Sequence, residues 1–306
     1  MHTSKYFFVT FIFSLLFIST TLKNKQKNNP PPGTLQISNN LFIDKTEITN
    51  FSWLEFMHWT QKIFGKNAQE YHFILPDTTV WLDLDSIYHN YTSTYLRSPK
   101  YRNYPVVGVT YLQALSYSLW RSDRVMEFTL IKNKIIKPNK STAADSTFSI
   151  TKYFNGNYLG MTPDPRFMSY PKYSLPTPQQ YKIIQEKSDS INQKNLALCK
   201  PKTIKKAPSL NCLCPLHQMA ISESEMEKNE TFVRNSNGDL CKDFFIAHLK
   251  SNVSELTFIH GILYGYNFEK SCENRSNLLW RSSQLKSATI GFRNVCSYQT
   301  WHTKQP

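Results

Sequence analysis

Residues 104–121 read YPVVGVTYLQALSYSLWR, and the fold turns on how this stretch divides. Val106, Val107 and Val109 are β-branched and suit an extended, half-buried backbone. Gly108 interrupts them, which predicts a bulge or a close approach of another backbone. Thr110 then stands where a helix N-cap belongs, with Gln113 three residues on. That is the pattern of a capping box, in which each side chain satisfies an orphan amide of the first turn. Leu112, Leu115 and Leu119 follow at helical spacing and predict the apolar face of the helix. On its own the stretch reads as a buried strand–helix corner with no chemistry attached.

The chain has 306 residues, enough for one large core or two modest ones. Its net charge is +14. A basic balance raises nucleic acid, anionic lipid or acidic glycan as partners. The lysines are scattered, however, and the nearest cluster, Lys200–Lys206, is short and contains Pro201. It reads as a solvated loop, and a nucleic-acid role is not expected. The 17 Tyr and 20 Phe against 9 Gly argue for a packed chain and against disorder.

Residues 1–22 read as a signal peptide or N-terminal anchor. Lys5 supplies the positive start, and Tyr6–Ile18 is an apolar run too short for an ordinary membrane span. No A-x-A site follows, so cleavage and retention both stay open. The expected location is outside the cytoplasm, in a periplasm or at the periphery of an outer membrane, with membrane attachment through the N-terminus. Residues 23–40, with KNKQKNNPPPG at their heart, read as a solvated linker stiffened by Pro30–Pro32. The folded domain is expected over 41–300, opening near Leu41, with a polar insertion near 187–240.

Further along, Leu41–Ile48 reads as a strand, capped by Thr49 or Asn50 into a helix that carries Trp53, Phe56, Met57 and Phe64. Glu127–Ile136 reads as a strand, Phe154–Asn157 as a turn or hairpin, and 163–176 as irregular. Thr177, Pro178 and Gln180 form a second capping box with proline at the first helical position.

Taken together these pieces resemble the formylglycine-generating-enzyme (sulfatase-modifying factor) family. The YPVVGV…QA…WR stretch carries the resemblance first. Glu47, Thr49 and Asn50 resemble the family's opening E-V-T-N. Leu175, Pro176, Thr177, Gln180 and Tyr181 resemble its L-P-T helix start. Ser251–Leu256 resembles G-N-V-x-E-W, and Ile290–Arg293 matches I-G-F-R. The series Pro76-Asp77-Thr78…Trp81, then Tyr95…Pro99…Tyr101, resembles a branch found in gliding-motility and type IX secretion proteins of the Bacteroidetes. The resemblance implies an α+β fold, irregular and loop-rich, related to C-type lectins. It implies envelope proteins of a secretion or motility complex as partners.

For chemistry the resemblance implies an absence. Catalytic members hold copper between two cysteines placed just after a G-G-S-W turn, because Cu(I) prefers soft thiolates. In the matching window, Gly265–Trp280, only Cys272 is present. Copper is therefore not expected, and no catalytic residue is assigned. The family also binds calcium through oxygen ligands, which makes Asn252 and Glu255 the matching candidates. Cys199, Cys212, Cys214, Cys241, Cys272 and Cys296 are candidates for disulfides or free thiols, and six cysteines allow fifteen pairings. Cys212, Cys214 and His217 have no standard zinc spacing. The expected function is a non-catalytic structural or binding component of the envelope. Two alternatives remain: a thiol- or copper-dependent oxidase using Cys272 with His260 or Cys296, and a glycan- or peptide-binding module.

Overall fold

The structure is a computed structural model and describes residues 30–199, 246–269, 279–282 and 286–302. The chain opens with β1 (Thr34–Ser38) and β2 (Leu41–Asp44), then α1 (Asn50–Phe64) and α2 (Gln69–Phe73). After a 3-10 turn at Thr78–Asp83 come α3 (Tyr91–Thr94), the long α4 (Tyr111–Lys132) and α5 (Ile150–Phe154). β3 (Ser169–Ser174) leads into α6 (Pro178–Cys199). The last part holds β4 (Ser254–Leu256), β5 (Ile262–Tyr264), β6 (Leu279–Arg281), β7 (Ile290–Gly291) and β8 (Val295–Thr300). Two four-stranded sheets result, in the orders β1-β2-β8-β3 and β6-β5-β4-β7. Helix and sheet are mixed without βαβ alternation, so the class is α+β, as expected.

Three sequence readings hold in detail. Thr110 and Gln113 form the capping box at the start of α4. Thr177 and Gln180 form the second, at 3.2 and 2.8 Å. Gly108 sits at φ +70°, and a Cβ there would lie 2.2 Å from the carbonyl oxygen of Asp77. Thr110→Ala removes one half of a box and is expected to cost about 1 kcal/mol, a fall in Tm of roughly 2–4 °C. Differential scanning fluorimetry of the purified chain checks it.

Other readings are corrected. Val106–Val109 is not a ladder strand. It is extended backbone held by separate bonds, from Val106 N–H to Ile48 O and from Gly108 N–H to Ser287 O. Leu112 and Leu119 of α4 are 60% and 64% exposed. The buried face instead carries Ala114, Tyr117, Ser118, Ser122, Met126 and Leu130. Small residues there let the sheet approach closely: Ser122 Oγ accepts from Tyr173 N–H and Ser118 Oγ from the Asn294 amide, at 2.9 and 2.7 Å. Residues 127–132 belong to α4, not to a strand, and Asn155–Gly156 turns off the end of α5 rather than forming a hairpin. The stretch read as irregular contains β3, an edge strand on β8.

Folding starts before Leu41, because β1 pairs with β2 through Leu35↔Ile43 and Gln36↔Phe42. The helix that opens at Pro178 runs through the start of the expected insertion to Cys199, and Ser188 and Asn192 on it are buried. Asn192 exchanges two 2.8 Å bonds with the backbone of Ile246, so α6 packs on the C-terminal half. Among the described residues no helix is long and apolar enough to cross a membrane. The Tyr6–Ile18 run lies outside them.

The largest core cluster joins α1 to α4. Trp53 stacks on Tyr117 with centroids 5.5 Å apart and meets Phe56 and Phe292 edge-on. Its indole N–H is satisfied by Ile74 O at 3.2 Å. Phe292 comes from the I-G-F-R segment, so this core ties the terminal motif to the first helix.

Candidate functional site

The same I-G-F-R segment delivers Arg293 to a buried cluster of charged side chains. Arg293 follows β7 and is fully buried. Its Nε and Nη2 lie 2.8 and 2.6 Å from Glu255 on β4. Tyr181 on α6 donates its hydroxyl to the other carboxylate oxygen at 2.6 Å. Arg293 also donates to Ala247 O and Asp44 O, at 2.8 and 3.2 Å. The Tyr181 ring stacks on Tyr264 at 4.0 Å. Burial raises the Glu255 carboxyl against the pull of Arg293. Burial also opposes the charge on Arg293, but the Glu255 carboxylate outweighs it and holds the guanidinium charged.

A second carboxylate lies beside the first. Glu47, in the link from β2 to α1, is buried. Its Oε2 lies 3.0 Å from His248 Nδ1, and its Oε1 accepts from the Asn252 amide at 2.8 Å. A carboxylate only accepts, so Nδ1 carries the proton. Burial alone raises the Glu47 carboxyl, yet His248, Arg293 and Asn252 together hold it below the ordinary range. The turn that presents these partners is sharp, with His248 at φ +63° and Asn252 at φ +71°. His248 Nε2 is buried and finds no partner among the described residues. A third pair, Asp44–Arg121 at 2.8 Å, joins the strand end to α4.

The two side chains offered to calcium are thus placed inside this network. Both oxygens of Glu255 are engaged by Arg293 and Tyr181, and the Asn252 amide holds Glu47. A calcium ion does not fit at Glu255 without displacing Arg293. Cys296 carries a free thiol, fully buried on β8 between Phe42 and Tyr173. Burial pushes its pKa up, so it stays protonated. Cys199 ends α6, and its side chain lies outside the described part, as do Cys212, Cys214, Cys241 and Cys272. His260 is exposed beside the Tyr111 ring, with centroids 5.0 Å apart, whereas Cys296 is buried.

Chemically the arrangement neutralises charge and fixes geometry. It joins the β2–α1 link, α6, β4 and the terminal motif by charge-assisted bonds. Sequence reading placed Glu47 in the Leu41–Ile48 strand and did not join Glu47, Arg293, Tyr181 and His248 into one network. The signal for three of them was present, since Glu47, Arg293 and Tyr181 all stand inside recognised motifs.

Among the carboxylates perturbed outside this network is one that links two helices. Asp123 on α4 accepts from the Ile150 N–H at the start of α5, at 2.8 Å. Burial raises its pKa to about 6, above its ordinary 3.8, against the pull of that bond and of Arg124. The unfolded chain therefore releases this proton first, and stability falls as pH rises from about 4 to 6. Asp123→Asn keeps an acceptor for Ile150. It is expected to stabilise the fold at pH 7 by about 1–3 kcal/mol and to flatten the pH dependence over that window. Urea melts at pH 4, 5, 6 and 7 measure both effects.

Among solved structures, the crystal structure of CarF aligns over 84% of this chain and 86% of its own, with 12% identity and a TM-score of 0.35. No curated protein matches the chain. Residues 17–185 match the Sulfatase-modifying factor enzyme 1-like domain. The matched span is more than half of the chain and takes in Glu47, Gly108, Arg121 and Tyr181, and on this match the chain belongs to the sulfatase-modifying factor family.

Proposed function

We propose that the chain is a non-catalytic member of its family and serves as a structural or binding component of the cell envelope, within a gliding-motility or protein-secretion assembly. The observation that carries the reading is the single cysteine, Cys272, in the window where catalytic relatives hold a pair. One thiolate does not make a two-sulfur copper site. The buried ion-pair network supports it further, since Glu47, Glu255 and Arg293 hold the fold together. The branch signature Pro76-Asp77-Thr78…Trp81 supports the assignment to motility or secretion. In this fold Asp77 caps the 3-10 turn through Thr79 and pairs with Lys286 at 2.5 Å, while Trp81 is buried.

Export, with or without a retained N-terminal anchor, completes the reading. Titration of the purified chain with Cu(I) is expected to show no tight one-to-one binding. Stoichiometric binding with thiol oxidase activity would favour the oxidase alternative. Calcium and EDTA are expected to leave Tm unchanged within about 1 °C, whereas a calcium-dependent rise of several degrees would restore a calcium site. Deleting the gene and finding secretion and surface motility intact would remove the envelope-assembly reading.

One observation favours binding as the form this role takes. Leu112 of α4 and Phe258 and Ile259 are about half exposed or more. They flank a contact in which the Tyr111 hydroxyl donates to Phe258 O at 2.8 Å. Exposed apolar residues gathered in this way mark protein contacts more often than chance positions do. The double variant Leu112→Glu/Phe258→Glu is expected to keep its Tm within about 2 °C. It is expected to lose co-purification with envelope partners from native membranes. Full retention of those partners would place the contact elsewhere.

A further inference from the structure

The proline segment before β1 is not a free linker where the structure describes it. Proline has no N–H, so its carbonyl is its only main-chain hydrogen-bonding group. Both of the last two prolines have that group caught twice. Pro31 O accepts from Thr34 N–H and Thr34 Oγ1, at 3.1 and 2.7 Å. Pro32 O accepts from Arg121 Nη2 and from the Tyr173 hydroxyl, at 3.0 and 3.2 Å. Gly33 then turns the chain into β1 at φ +78°, and its own carbonyl accepts from Lys45 N–H at 3.3 Å.

The receiving surface is built rather than incidental. Arg121 divides its donors, with Nη1 on Asp44 at 2.8 Å and Nη2 on Pro32. Its guanidinium carbon lies over the Tyr173 ring, 4.1 Å from the centroid, which removes the freedom a long side chain would otherwise lose on binding. Arg121 comes from α4, Tyr173 from β3 and Asp44 from β2, so three elements meet at one spot. A Cβ on Gly33 would lie 3.1 Å from Arg121 Nη2, a tight contact with a side-chain end, and the φ of +78° favours glycine there.

We propose that Arg121 and Tyr173 form an intramolecular receptor for Pro31–Pro32, which fastens the linker to the domain and fixes the point from which the N-terminal segment leaves it. The domain's N-terminal boundary then lies at Pro31 rather than at Leu41. Between Ile18 and Pro31 about 13 residues remain, a reach of at most roughly 45 Å. Where the apolar run is retained as an anchor, the domain stays within that reach of the bilayer. The proposal does not depend on the absence of catalysis or on the envelope assignment.

Hydrogen exchange of the intact chain tests it at the Thr34 amide, whose bond to Pro31 O exists only in the docked turn. Tyr173→Phe removes one hydroxyl and is expected to speed that exchange about fivefold, as the loss of one hydrogen bond of ordinary net strength does. Arg121→Gln is expected to speed it more than tenfold. Amides of α4 report whether the fold itself has loosened. If Arg121→Gln disturbs them, Tyr173→Phe and Gly33→Ala decide. Exchange of Thr34 in the native chain at the rate of an unstructured peptide overturns the proposal, as does a rate unmoved by these substitutions.

Discussion

Replacing Arg293 by methionine is expected to cost about 3–5 kcal/mol, because it leaves a buried carboxylate without its counter-charge. Glu255 is fully buried and Arg293 contacts both of its oxygens. Methionine has similar length and no charge, so packing changes little and the loss reports the missing cation. Two backbone carbonyls, Ala247 O and Asp44 O, lose a donor as well. The double variant Arg293→Met/Glu255→Gln removes the stranded charge and keeps an acceptor for the Tyr181 hydroxyl. It is expected to be more stable than the single variant, since an uncompensated charge costs more than an absent pair. Urea unfolding with a common m-value gives the comparison. A single variant as stable as the parent would show that water reaches Glu255, and the network would lose its structural role.

Gly108→Ala is expected to be comparably severe, at about 4 kcal/mol or more, which is the exceptional end for one substitution. Two effects add. The left-handed backbone costs a residue with a Cβ about 1–2 kcal/mol. The new carbon also meets the main-chain oxygen of Asp77 at 2.2 Å, and a main chain does not swing aside like the end of a lysine. Relief requires the 74–80 segment to move, which breaks the 2.8 Å bond from Asp77 N–H to Gly108 O. Gly156 provides the control. It has φ +74° and nothing within 4 Å of a Cβ, so Gly156→Ala is expected to cost only the backbone part. Equal losses at the two positions would show that the Asp77 contact carries no weight.

What the sequence disclosed was what is encoded over three or four residues. Both capping boxes and the Thr49 cap were legible, because side chain and backbone amide are neighbours in the chain. Gly108 was legible as a close approach, though not the identity of the approaching segment. The buried face of α4 was hidden because it uses alanine and serine. Hydrophobic spacing points to Leu112 and Leu119, while Ser118 and Ser122 are buried by partners some 50 to 180 residues away. β3 was hidden by Pro171, which an edge strand tolerates and a central one does not. The strand-like residues at the end of α4 were overruled by a helix already propagating from Thr110. The ion-pair network was the least legible of all. Glu47 meets His248 and Asn252 across more than 200 residues, and no local pattern marks such a meeting.

The pairing of β2 with β8 has a consequence for how this polypeptide comes into being. Phe42 lies opposite Cys296, and β8 is the bridge between β2 and β3. A nascent chain therefore exposes both edges of an unfinished sheet until Val295–Thr300 has left the ribosome. Contacts of such long sequence separation slow acquisition of the native state. Premature termination anywhere before Val295 leaves a product with two unpaired strand edges, which is a substrate for proteases and for self-association rather than a smaller working protein.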